Sequence, residues 1–93
     1  MSARAFDAAS SLRQSLAETL GIAVERVAGF DDETLLFGAL PELDSMAVAT
    51  LLTDLEDRLG IVIDDDDIDG EIFESFGSLR AFLGRKLGES PAR

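Results

Sequence analysis

Cysteine, histidine, tryptophan and tyrosine are all missing from these 93 residues, and the first two absences narrow the chemistry most. Without cysteine there are no disulfides, thiolate metal sites or cysteine nucleophiles. Without histidine there is no serine–histidine triad and no imidazole-based zinc or iron site. Nor is there a side chain that ordinarily titrates near neutrality and acts as a general base. An unaided enzyme is therefore not expected. Cationic residues are scarce too, 8 Lys and Arg against 19 Asp and Glu, for a net charge of −11. Nucleic acid and anionic membrane surfaces both attract basic patches, so neither is an expected partner. Basic protein surfaces are. No apolar run approaches the ~18 residues that span a bilayer. The stretch Met1–Phe6 lacks the long apolar core and cleavage pattern of a secretory signal. A cytoplasmic monomer without membrane insertion is the expectation.

What is present describes a folded globular chain: 46% hydrophobic residues with 29% charged. The length allows one domain over residues 1–93, with 88–93 as a loose tail. The spacing of Phe6, Ala9, Leu12, Leu16 and Leu20 predicts a helix over 3–20, and Gly21-Ile22 fits a left-handed cap packed back on the last turn. Between Ile22 and Asp44 the period dissolves, predicting a long loop with one helical turn around 32–37, pinned by its own apolar side chains. A second helix is expected over 45–59, stopped by Gly60. In it Met46, Ala49, Leu52, Leu55 and Leu59 form one inward stripe. Ile61-Val62-Ile63 reads as an extended connector, since no other segment offers a strand to pair with it. Asp69 is expected to cap a short helix at 70–74, and Ser75 a last helix at 76–87 with Phe76, Leu79, Phe82, Leu83 and Leu87 inside. The whole reads as an all-α four-helix bundle: three long helices, a short third one and a long first loop.

Everything turns on Glu42-Leu43-Asp44-Ser45-Met46. Ser45 falls in the first turn of the second helix, where unpaired backbone N–H groups and the helix dipole favour an anion. Alone, Asp44-Ser45 signals no more than a helix cap, with Asp44 the capping side chain.

Taken together, these pieces resemble the acyl carrier protein family over about 12–87. Asp44-Ser45-Met46 is similar to its Asp-Ser-Leu attachment motif, and Leu20-Gly21-Ile22 with Val27 to its Leu-Gly-Val and following valine. Ile61-Val62-Ile63 is similar to its Ile-x-Ile, and Ser75-Phe76-Gly77-Ser78-Leu79 to its entry into the fourth helix. The resemblance implies that Ser45 accepts 4′-phosphopantetheine from coenzyme A, with Asp44 and Met46 beside it. A separate phosphopantetheinyl transferase catalyses that step, and acyl groups ride on the arm as thioesters. It implies an acyl pocket among Met46, Ala49, Leu52, Leu59, Ile61, Ile63, Phe73 and Phe82. It further implies docking of the transferase and of acyl-loading and acyl-using enzymes on Asp44, Asp54, Glu56 and Asp57. Thr50 stands where many members have glutamate, and the first loop is a few residues longer than in common carriers. Leu43–Val48 is worded like stand-alone carriers of exopolysaccharide or exosortase systems. Peptidyl and aryl carriers share the serine and the bundle.

Two readings from other classes stand beside this one. Asp65, Asp67, Asp69 and Gly70 fit positions 1, 3, 5 and 6 of an EF-hand loop, which would make a calcium-responsive module using Asp65, Asp67, Asp69 and Glu71. The twelfth position, a bidentate glutamate in such loops, is Phe76 here, so no metal ligand set is assigned. The third reading is an interaction domain whose acidic helix docks a basic partner, with Ser45 a simple cap.

Overall fold

The computed structural model describes residues 8–89. Residues 3–7 of the expected first helix and residues 90–93 of the expected tail lie outside them. Four α-helices, α1 (Ala8–Leu20), α2 (Val24–Ala28), α3 (Ser45–Leu59) and α4 (Phe76–Glu89), alternate with loops and two 3-10 turns, Asp65–Asp67 and Gly70–Phe73. The fold is all-α. The helical turn expected at 32–37 forms earlier, as α2, while 32–37 is an irregular run carrying one bridge. The short helix before α4 forms as a 3-10 turn whose first N–H groups, those of Glu71 and Ile72, are accepted by the Asp69 carboxylate. Helix α4 runs through Gly88 to Glu89, because Gly88 does not take the left-handed conformation that ends a helix.

The helix ends follow from local chemistry. Gly21 and Gly60 both sit at positive φ, 71° and 66°. At Gly60 the N–H returns to the Glu56 carbonyl and closes α3. Ile22 and Ile61 then turn inward and are buried. Val62 faces solvent and Ile63 packs against the core, as an extended connector requires. At the start of α4, Ser75 Oγ accepts from the Ser78 N–H at 3.1 Å and Ser78 Oγ accepts from the Ser75 N–H at 3.1 Å, a reciprocal cap.

The core is built from Leu12 and Leu16 of α1, Leu51, Leu55 and Leu59 of α3, and Phe76, Leu79, Phe82 and Leu83 of α4. The segment between α1 and α3 contributes Val27, Phe30, Leu36, Leu40 and Leu43 to it. Its apolar side chains therefore hold it down. Backbone bonds tie it further to the start of α4. Phe76 N–H donates to Thr34 O at 2.8 Å and Gly77 N–H to Asp32 O at 3.0 Å, while Phe37 N–H donates to Phe73 O at 2.9 Å. Arg80 adds a two-pronged pair with Asp32, at 2.9 and 2.8 Å. The same strapping places Phe37 close to the mouth of α3.

Helix α3 faces the core with a different stripe from the one its spacing implied. Met46 is 81% exposed and Ala49 is also outside, whereas Leu51 is fully buried and Val48 and Leu52 flank it. Residues 46–49 are all apolar, so two stripes satisfy the helical period and share Leu55 and Leu59. Packing against α1 selects the stripe that runs through Leu51, which is fully buried.

Candidate functional site

Leu43 is buried and anchors the chain just before α3, which fixes where the helix begins. Asp44 follows in extended conformation (φ −99°, ψ −175°), and its Oδ1 accepts from the Ala47 N–H at 2.9 Å. This is the N-cap contact, and it leaves the N–H groups of the preceding positions aimed out of the helix start. Ser45 is the first helical residue and is exposed, with no hydrogen bond from its hydroxyl to the described residues. Other described serines are differently placed. Ser11 and Ser15 are buried, Ser15 Oγ–H donates to Asp54, and Ser78 Oγ–H reaches the Ile72 carbonyl.

Beside Ser45 opens a groove of about 320 Å³, walled by Phe37, Val48, Ile68 and Phe73 and completed by Asp69 and Gly70. Of the residues expected to form a pocket, Phe73 lines this groove. Leu59, Ile61 and Phe82 are core residues, Leu52 and Ile63 pack half-buried against the core, and Met46 and Ala49 face solvent. Sequence reasoning missed Phe37, Val48 and Ile68. For Val48 the signal was available in the alternative stripe of α3, but Phe37 arrives through long-range strapping.

The four acids expected to meet partners are not equivalent. Asp54 accepts from Ser15 at 2.6 Å and from Arg58 at 2.5 Å. Burial alone pulls its pKa upward, but those two hydrogen bonds outweigh it and hold the carboxyl below its ordinary range. Arg58 is shared with Glu18. Glu56 Oε2 accepts from the Ile63 N–H at 2.7 Å and so fixes the connector. Asp44 caps α3. Asp57 alone among the four is both exposed and outside these contacts.

The acidic run is used for structure as well. Asp67 Oδ2 accepts from Lys86 and from the Asp64 N–H, each at 3.0 Å, and Asp69 caps the following turn. Phe76, at the twelfth position of the calcium-loop alternative, is buried in the core. No group of acidic side chains among the described residues is arranged to hold a metal ion.

An exposed serine opening a central helix beside an apolar groove is an arrangement that suits a carrier of an attached group. Residues 10–85 match the family described as phosphopantetheine attachment site. The solved solution structure of a holo acyl carrier protein from Nitrosomonas europaea is similar, with 38% identity and a TM-score of 0.79, over 86% of this chain and 95% of that one. No curated protein matches the chain. This chain belongs to the acyl carrier protein family, a family of carriers rather than enzymes, and its prosthetic group is covalently bound 4′-phosphopantetheine. The residues present fit that group. The start of α3 offers an accessible hydroxyl, N–H groups suited to a phosphodiester and an adjoining apolar wall.

Proposed function

We propose that Ser45 is the attachment residue and that the protein holds acyl groups and presents them to partner enzymes. The observation that carries this is the exposed, unengaged hydroxyl at the first residue of α3. When bound, the arm supplies a terminal thiol that forms thioesters with acyl groups. Asp44 fixes the turn that presents Ser45, and the partial positive charge of the helix start stabilises a phosphodiester there. Phe37, Val48, Ile68 and Phe73 give an apolar wall along which an acyl chain can lie out of water. This wall favours acyl cargo over polar peptidyl cargo. The partners in this reading are a phosphopantetheinyl transferase and the enzymes that load and use the acyl group. They act on a monomer in the cytoplasm, in fatty-acid or related lipid metabolism.

Incubating the apo protein with coenzyme A, magnesium and a broad-specificity transferase tests it. The intact mass should rise by one phosphopantetheinyl group in the wild type and stay unchanged in Ser45→Ala. An unchanged wild-type mass, or equal gain in the variant, rejects Ser45.

A further inference from the structure

The groove beside Ser45 has walls of unequal firmness. Phe37 and Phe73 are joined by a backbone rail, in which Phe37 N–H donates to Phe73 O at 2.9 Å and Leu36 N–H to Glu74 O at 3.0 Å. Val48 stands on α3, which packs along α1. The remaining apolar wall, Ile68, stands on the segment 64–69, where the bonding is local. Among the described residues its backbone bonds run from Asp67 N–H to Asp64 O at 2.9 Å and from Ile72 N–H to Asp69 O at 3.2 Å, within the segment and the turn after it. A stretch bonded only to itself opens at lower cost than one strapped to a neighbour. Five of its six residues are aspartates, in a chain of net charge −11, and their repulsion favours moving the segment outward. An ion pair to α4 opposes that movement. Lys86 Nζ donates to Asp67 Oδ2 at 3.0 Å, one residue from Ile68. Both partners are partly withdrawn from water, with side chains 15% and 30% exposed, so the pair is screened less than one on the open surface.

Resting on the reading of this groove as the wall for an acyl chain, we propose that segment 64–69 is its movable side and that Lys86 is the latch. Through Asp67, Lys86 holds Ile68 against the chain and sets how well an acyl group is sheltered. Lys86 is a positioning residue, and it acts on cargo only through Ile68.

The test loads the apo chain with octanoyl or acetyl arms, using the matching acyl-coenzyme A and a broad-specificity phosphopantetheinyl transferase. Thioester cleavage by hydroxylamine is then followed by intact mass. In the wild type the octanoyl form should cleave more slowly than the acetyl form, which is too short to reach the wall. Lys86→Met and Asp67→Asn should each speed octanoyl cleavage about threefold, as loss of one partly buried ion pair does, and leave acetyl cleavage alone. Lys86→Arg, which keeps the charge and the reach, should restore protection. In the unloaded chain Lys86→Met should shift the Ile68 methyl resonances and leave those of Ile63 in place. Ser15→Ala, which loosens the α1–α3 contact away from the groove, should not change octanoyl cleavage. Equal octanoyl rates in wild type and Lys86→Met, or unmoved Ile68 signals, overturn the proposal while leaving Ser45 as the attachment site. So does an equal rise in Ser15→Ala, which assigns the effect to general loosening, or a failure of Lys86→Arg to restore protection. A wild type that never gains the arm removes the carrier reading itself.

Discussion

At the scale of single residues, the carboxylates of this protein divide into those that hold structure and those that face solvent, and pH separates the two. Asp54 is bonded by buried Ser15 and by Arg58, which keeps its carboxyl titrating below the ordinary range despite partial burial. A carboxyl whose folded pKa is depressed contributes stability that is present above its unfolded value of about 4 and is lost as pH falls through the folded value. Asp54→Asn should therefore cost stability at neutral pH, and its gap to the wild type should narrow once pH drops below about 4. Urea unfolding across that range measures it. A gap independent of pH would show that the Ser15–Asp54–Arg58 cluster does not discriminate the charged form. At this scale Ser45 was legible, because a serine at a helix start after a capping aspartate is a local pattern. The roles of Asp54 and Glu56 were not, since Ser15 lies 39 residues from Asp54 and no local pattern reveals that contact.

Among the elements, α3 was readable from end to end because both its boundaries have local causes, Asp44 accepting from Ala47 and Gly60 at positive φ. Its rotation was not. With residues 46–49 all apolar, the period alone cannot choose between two faces that share Leu55 and Leu59, and only the packing on α1 does. Helix α2 escaped for a different reason: its five residues, Val24–Ala28, are too few to display a period. The strap from Asp32 to Phe37 along the start of α4 depends on a close approach that the sequence shows only as a glycine. A Cβ on Gly77 would stand 2.7 Å from both the Cβ and the carbonyl oxygen of Asp32, so the backbones must part to admit it. Gly77→Ala is expected to destabilise by more than Gly60→Ala, since overpacking against fixed backbone costs ~1–3 kcal/mol and left-handed strain ~1–2 kcal/mol. It should also loosen Phe37, read as a shift of the Phe37 resonances in solution NMR; Gly60→Ala should leave them in place. Equal destabilisation with unmoved Phe37 signals would mean that the strap does not depend on this contact.

For the molecule as a whole, 19 acidic residues face 8 basic ones. Among the described residues, four basic side chains are committed to ion pairs, Arg26 with Glu42, Arg58 with Asp54 and Glu18, Arg80 with Asp32, and Lys86 with Asp67. The remaining carboxylates repel one another across the surface, and such repulsion weakens once the Debye length falls to ~10 Å or less. Added sodium or magnesium chloride should raise the melting temperature; a flat response would show that the excess charge does not strain the fold. Composition alone makes this field plain. The groove walled by Phe37, Val48, Ile68 and Phe73 was hidden, because its walls come from three separate segments that only the folded chain brings together.

The most direct measurement is to locate the arm. Modified protein is digested, and the peptide spanning Glu42 to Asp54 is sequenced by tandem mass spectrometry. The expected result is 4′-phosphopantetheine on Ser45 and on no other residue. The group on Ser10, Ser75 or Ser78, or a wild-type protein that every transferase leaves bare, would contradict it.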